Sequence, residues 1–279
     1  MIKVGTINKL PIVKQVKFGL YLDGGDLGEI LMPSRYAPTE FEVGDEVEVF
    51  IYLDSEDRLI ATSETPYCEV GQCAHLRVTS SSSFGAFMDW GLSKDILTPF
   101  KEQLIPMLVG KSYVVFLYID VTGRIAASSN LSKFMKEEDG YHFLHNQEVS
   151  LLIARKNDFG YKAVVNNEYM GLIHNIDILQ PIKVGDKISG YIKNVREDGK
   201  IDLNPQLQGG KAINSLAEDI LELIKGSDDG KINITDKSSP ELIYKTFEVS
   251  KSNYKKALGK LYKKQLIIIK KDEIKLANF

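Results

Sequence analysis

The sequence predicts a mainly β chain with a C-terminal α+β domain: three tandem five-stranded antiparallel barrels, then three helices and a small hairpin. Three observations carry that expectation: a self-similar register at an offset of 66 residues, dense period-two runs over most of the chain, and a change to helical period after residue 204. With 279 residues, 43% of them hydrophobic and 26% charged, the chain can fill several cores, which excludes a disordered tail or a fibre.

The repeat places the first two barrels. Phe18-Gly19, Asp23, Gly25, Ile30-Leu31 and Pro33 fall on Phe84-Gly85, Asp89, Gly91, Ile96-Leu97 and Pro99 without a gap, and Val43-Gly44, Asp54 and Arg58 fall on Val109-Gly110, Asp120 and Arg124. A third, diverged copy follows, because Phe159-Gly160 stands 25 residues before Val184-Gly185, the spacing of the other two. Runs such as 47–52 and 187–192, broken by Gly, Asp, Asn and Pro, read as short strands. Units of about 65 residues, each with five short strands and a glycine after a strand aromatic where the sheet must bend, suit an oligonucleotide-binding (OB) fold. The expected boundaries are 1–66, 67–140 and 141–210.

Past residue 210 the pattern is helical. Ile213, Leu216, Ala217, Ile220, Leu221 and Ile224 form one face, with Asn214 and Ser215 near its start. Ser239 and Pro240 open a second helix as cap and first-turn proline. Ser250 begins a third, whose Tyr254, Ala257, Leu258 and Leu261 share a face. A short strand at 231–234 and a hairpin within 266–276 complete a winged helix over 211–279.

Several function classes are disfavoured. The longest apolar run, 114–119, is far short of the roughly 18 residues of a membrane span, and the opening residues lack the layout of a secretory signal, so a cytoplasmic protein is expected. Cys68 and Cys73 match neither a disulfide framework nor zinc spacing, and His142 and His145 read as connector residues. The serines at 80–83 read as a flexible loop and 23–28 as a turn, without the partners of a nucleophile or the setting of a phosphate loop. The expectation is a protein that is not an enzyme, with no cofactor, no metal and no small-molecule substrate.

The motif Ser83-Phe84-Gly85-Ala86-Phe87-Met88-Asp89, followed by Gly91-Leu92 and Gly110, resembles the S1 RNA-binding domain, as do Gly171-Leu172-Ile173-His174 and Asp198-Gly199-Lys200-Ile201-Asp202-Leu203 in the third copy. Three such domains followed by Ser239-Pro240-Glu241-Leu242-Ile243-Tyr244 and Ala257-Leu258-Gly259-Lys260-Leu261-Tyr262 resemble the conserved virulence factor B family of Gram-positive bacteria. The resemblance implies RNA binding and gene regulation without catalysis. It also implies an RNA face of two aromatics at the Phe-Gly turn, a histidine on the middle strand and an acid-then-base pair before the last strand. On that pattern the second copy offers Phe84, Phe87, Asp120 and Arg124, with Lys94 at the histidine position; the first offers Phe18, Tyr21, Asp54 and Arg58. The third offers Phe159, His174 and Lys200, with Lys162 beside Tyr161 for the second aromatic and Arg196 for the acid, which makes its face the more basic one. Trp90 is expected at a rim or between domains.

Flat aromatics set among cations suit single strands, whose bases are open to stacking. Charge rises along the chain: residues 1–66 hold 6 Lys and Arg against 12 Asp and Glu, 67–140 hold 7 against 8, 141–210 hold 8 against 8, and 211–279 hold 14 against 10. The third barrel and the winged helix are therefore expected to supply most attraction for phosphate, the latter through Lys255, Lys256, Lys260 and Lys263 on its third helix. The partner expected first is single-stranded RNA. The alternatives are duplex DNA bound by a transcription regulator, or ribosome or RNA polymerase surfaces bound by an adaptor.

Overall fold

The computed structural model describes residues 2–54, 56–178, 180–205, 210–227, 230–247, 249 and 251–277, without the side chains of 210–215. The readings made at 206–209 and Ser250, and for the side chains of Ile213, Asn214 and Ser215, lie outside the described residues.

Five strands, β1 (Ile7–Val16), β2 (Gly19–Asp23), β3 (Glu29–Pro33), β4 (Glu46–Leu53) and β5 (Leu59–Thr62), close a barrel in the order β1-β2-β3-β5-β4, with β3 and β5 meeting in parallel at Leu31 and Ile60. Alternation sends Leu10, Ile12, Leu22, Ile30, Met32 and Ile51 inward. The next five, β6 (Cys73–Ser81), β7 (Gly85–Asp89), β8 (Ile96–Pro99), β9 (Ser112–Ile119) and β10 (Ile125–Ser128), form a sheet in the same relative order, β10-β9-β6-β7-β8. A third set, β11 (Glu148–Asn157), β12 (Gly160–Val165), β13 (Tyr169–His174), β14 (Lys187–Val195) and β15 (Ile201–Asn204), closes as β11-β12-β13-β15-β14. Each first strand carries one irregularity at the same place, between Ile12 and Lys14, Val78 and Ser80, and Ile153 and Arg155. Such bulges bend a strand so that a small barrel can close, and they turn the next side chain to the other face. The serine segment departs from its reading as a loop: Ser80 and Ser81 continue β6, opposite Phe87 and Ala86, and only 82–84 turn.

The Phe-Gly corners have a steric cause. A Cβ on Gly19 would lie 2.1 Å from the carbonyl oxygen of Met32, and one on Gly85 2.2 Å from that of Thr98, so the second strand can press this closely on the third only at glycine. The first and second sheets also share a core. Trp90, 3% exposed, sets its ring at 80° to Phe50 with centroids 5.5 Å apart and donates its Nε1–H to the Lys94 carbonyl at 2.6 Å. Glu64 accepts the Ser93 amide at 3.0 Å, and Tyr36 and Ser93 join their hydroxyls at 3.0 Å. Trp90 is thus an inter-barrel residue with no face open for stacking.

The C-terminal domain consists of α1 (Gly210–Lys225), β16 (Lys231–Ile232), α2 (Pro240–Phe247), α3 (Lys251–Lys263), β17 (Ile267–Ile269) and β18 (Ile274–Leu276), with sheet order β16-β18-β17. Leu216, Ile220, Ile224, Ile243, Tyr254 and Leu258 fill its core. Ser239 Oγ accepts the Leu242 amide at 3.2 Å and caps α2, and the buried Tyr254 donates its hydroxyl to the Ile234 carbonyl at 2.8 Å. The chain divides into two compact units: residues 1–137 with 150–171 and 182–187, and residues 138–149 with 172–181 and 188–279, so the strands of the third barrel are shared out between them. Cys68 and Cys73 are free and buried, and burial pushes both thiols up to about 12. Among the described residues no helix is long and apolar enough to cross a membrane, and no group of three or more His, Cys, Asp or Glu is placed to hold a metal ion.

The corner geometry makes a direct prediction. Gly85→Ala drives a methyl group into the Thr98 carbonyl and is expected to lower stability by about 2 kcal/mol, read as a lower urea midpoint. An unchanged midpoint would show that β7 and β8 are not in close contact there.

Candidate nucleic-acid interface

Phe84 occupies the turn between β6 and β7. Ser82 Oγ accepts its amide at 3.1 Å and the Phe100 amide donates to its carbonyl at 3.3 Å, so the backbone is pinned on both sides while the ring points out, 73% exposed. Phe87 lies further along β7, opposite Ser80, the first residue past the bulge. Phe84, Phe87, Lys94, Asp120 and Arg124 line one cleft of about 370 Å³, with Tyr52 and Leu53 of the first barrel forming part of its wall. The four residues expected to bind from the second copy therefore converge, and two that no motif pointed to join them.

The cleft's charges are largely paired. Arg124 Nε donates to Asp57 Oδ1 of the first barrel at 2.5 Å, which raises the guanidinium and holds the Asp57 carboxyl below the usual carboxylate range. Burial pushes the Asp120 carboxyl up, but bonds from the Thr122 hydroxyl and the Thr122 and Arg124 amides outweigh it and hold the carboxyl low. Partial burial, then the like charge of Arg124, depress the Lys94 ammonium.

The equivalence of Lys94 with His174 does not hold. His174 ends β13 immediately before a single helical turn, Asn175–Asp177, the place that Pro33 and Pro99 take before the turns Ser34–Tyr36 and Phe100–Glu102. Lys94 precedes β8 instead, and it reaches the cleft from a connecting loop.

On the first barrel Phe18 is 58% exposed and its carbonyl accepts the Ser34 amide at 3.0 Å, the counterpart of the Phe84 corner. Its ring stands at 80° to Tyr21 with centroids 6.5 Å apart, and Lys14 Nζ lies 4.8 Å from the Tyr21 centroid. Arg58 is bound to Asp54 through Nε and Nη2, at 3.0 and 2.8 Å, and to Glu56 through Nη1 at 2.9 Å. The first face keeps its aromatics and has its arginine held by two carboxylates.

In the third barrel the first unit holds Phe159, 72% exposed, whose amide donates to Asn157 Oδ1 at 3.1 Å. Lys162 stands where Tyr21 and Phe87 stand, opposite Arg155 past the bulge, and its Nζ reaches Glu137 at 2.9 Å; Tyr161 lies 5.7 Å from Lys156 Nζ. The second unit holds His174, Arg196 and Lys200. The Arg196 amide donates to the Lys200 carbonyl at 2.9 Å, as Asp54 does to Arg58 at 3.0 Å and Asp120 to Arg124 at 2.8 Å, so the three turns correspond. The acid has moved to Asp202 on β15, 2.9 Å from His174 Nε2 and 2.6 Å from Arg196 Nη2, while Lys200 pairs with Asp198 and Glu138. The third copy supplies the extra cations that make its face the more basic one, but Lys162, Arg196 and Lys200 each have a carboxylate partner. Asp202 was missed, although alternation in Ile201-Asp202-Leu203 marks it as an outward strand residue.

Along α3, Lys255, Lys256 and Lys263 are exposed and none pairs with a carboxylate among the described residues; Lys260 is half-buried.

The chain matches the S1 domain family over residues 4–64 and 70–130 and the CvfB-like winged helix domain over 218–276. It is 30% identical over 264 residues to a Bacillus subtilis protein named uncharacterized protein YitL, spanning 91% of this chain and 87% of that one. It is 27% identical over 288 residues to conserved virulence factor B of Staphylococcus epidermidis, spanning 99% of this chain and 95% of the relative. A crystal structure described as a multidomain protein with nucleic acid binding domains from Streptococcus pneumoniae aligns over 98% of both chains with 23% identity and a TM-score of 0.40. The S1 and winged-helix matches support nucleic-acid binding.

Burial pushes the Asp202 carboxyl up, but bonds from Arg196 and His174 overcome it and hold the carboxyl below its ordinary value. A carboxyl lowered on folding stabilises the fold above its unfolded pKa, and that contribution is lost as pH falls through the folded value. Asp202→Asn is therefore expected to flatten the fall in urea midpoint between pH 5 and pH 3, a range set roughly by ordinary carboxylate titration. Parallel acid limbs for variant and parent would dismiss the pairing.

Proposed function

The chain belongs to the conserved virulence factor B family, with S1 domains followed by a winged-helix domain, and on that premise we propose that it binds single-stranded RNA without catalysing a reaction on it. The observation that carries the reading is the convergence of Phe84, Phe87, Lys94 and Arg124 on one cleft, with the Phe84 ring turned outward on a pinned backbone. A ring presented on a fixed backbone needs little main-chain ordering to receive a base, and each such stack contributes about 1 to 3 kcal/mol. Phe18 and Phe159, at the matching positions, are likewise exposed, which suits a strand laid over successive barrels.

Phosphate attraction is weaker than the lysine and arginine count implies, because Arg58, Arg124, Lys162, Arg196 and Lys200 are already paired with carboxylates. The exposed lysines of α3 add attraction, and lysine contacts position a backbone without reading bases. The role we propose is post-transcriptional regulation of gene expression in the cytoplasm, virulence genes included.

Fluorescence anisotropy with a labelled single-stranded RNA of about 20 nucleotides, beside a duplex DNA of the same length, tests this. Phe84→Ala is expected to weaken the RNA complex about tenfold and to leave duplex binding alone. Equal binding of both ligands by the parent protein, or no loss in the variant, would remove the stacking reading. Because Asp57 neutralises Arg124, Asp57→Asn is expected to strengthen RNA binding about threefold. A weaker complex in that variant would mean that Asp57 holds Arg124 in a productive position instead of competing for it.

A further inference from the structure

A second and larger cleft, about 600 Å³, lies within the first unit and shares no lining residue with the Phe84 site. Its volume falls in the range of small-molecule sites. Leu131, Val114 and Met170, all buried, form the floor, and Leu104 and Ile105 stand exposed at the lip. Asn130 and Ser112 supply polar groups along one side, and no carboxylate lines it.

The opposite wall carries Arg155, Lys156 and Lys162. The bulge between Ile153 and Arg155 sets Arg155 directly across from Lys162, and like charges facing each other across a strand pair are destabilising. Glu137 answers only part of this charge: its carboxylate bonds Lys162 at 2.9 Å and the Ser132 hydroxyl at 2.7 Å. The Arg155 guanidinium makes no hydrogen bond or close ion pair among the described residues; Glu137, already bonded to Lys162, feels its charge only through space. An apolar floor with an under-compensated cationic wall fits a ligand that is flat and apolar at one end and anionic at the other.

We propose that this cleft binds one nucleoside phosphate, its base against the floor and the Ile105 lip, its phosphate on Arg155. The nucleotide is either free or one unit of a bound strand. The site goes beyond the stacking face of the second barrel, and as a free-nucleotide site it does not depend on the RNA reading.

The test uses the full chain, isothermal calorimetry with AMP, GDP and inorganic phosphate, and anisotropy with the 20-nucleotide RNA. Two variants at exposed positions, Arg155→Gln and Ile105→Ala, probe the two ends of the ligand separately. If the source is free, AMP or GDP binds once per chain, phosphate alone binds far more weakly, and each variant costs about tenfold in affinity. If the source is a strand, free nucleotides give no heat, each variant weakens RNA binding about tenfold, and the loss adds to that of Phe84→Ala as expected of separate sites. Loss in Arg155→Gln without loss in Ile105→Ala is general charge attraction and overturns the proposal, as does no change in either variant. A parent protein that ignores RNA yet binds AMP through Arg155 and Ile105 upholds this site and sinks the RNA reading.

Discussion

A carbonyl oxygen pressed against a glycine is the contact from which the display of aromatics follows. Met32 and Thr98 place theirs where any Cβ on Gly19 or Gly85 would collide, so β2 and β7 must start at a residue without a side chain. The phenylalanine before it sits in the turn. Its carbonyl is taken by the amide that starts the next helical turn, Ser34 or Phe100, and the ring stays in solvent. Large apolar side chains are ordinarily withdrawn from water, and here three at matching positions are not. At Phe18 and Phe84 that exposure stands on a hydrogen-bonded corner, which is a firmer ground for function than the exposure alone.

Charge tells a different story from composition. The rise in net charge along the chain is real as a count, but carboxylates brought in by the fold meet Arg58, Arg124, Lys162, Arg196 and Lys200 at hydrogen-bond distance. Desolvating a paired cation requires that its partner be released or satisfied, so such groups contribute less to binding than free ones. The lysines of α3 differ because nothing among the described residues answers Lys255, Lys256 or Lys263.

Much of the fold was legible because its determinants are local. Glycine after an aromatic, period-two runs and turn residues recur at one offset, and the core faces of α1 and α3 follow directly from helical spacing. Phe84, Phe87 and Arg124, matched by the gapless offset of 66 residues to Phe18, Tyr21 and Arg58, line one cleft. What stayed hidden was tertiary pairing. Asp57 and Arg124 are 67 residues apart, Glu137 and Lys162 25 apart, and no local pattern joins them. Lys94 and His174 are not equivalent because the third copy lacks the gapless register: Phe84 and Phe159 are 75 residues apart, which carries His174 onto Pro99. Asp120 and Arg196 are 76 apart, and the extra residue is absorbed in β14, where the ladder shifts between Ile192 and Asn194.

The chain's one tryptophan is the residue buried between the first two sheets. Its emission is therefore a local probe: it reports whether Phe50 still covers the indole, and it is blind to α1, α2 and α3. Far-ultraviolet circular dichroism, in contrast, is weighted toward those helices. The two signals watch different parts of one polypeptide, so a melting curve followed by fluorescence alone describes the seam between two barrels and not the molecule.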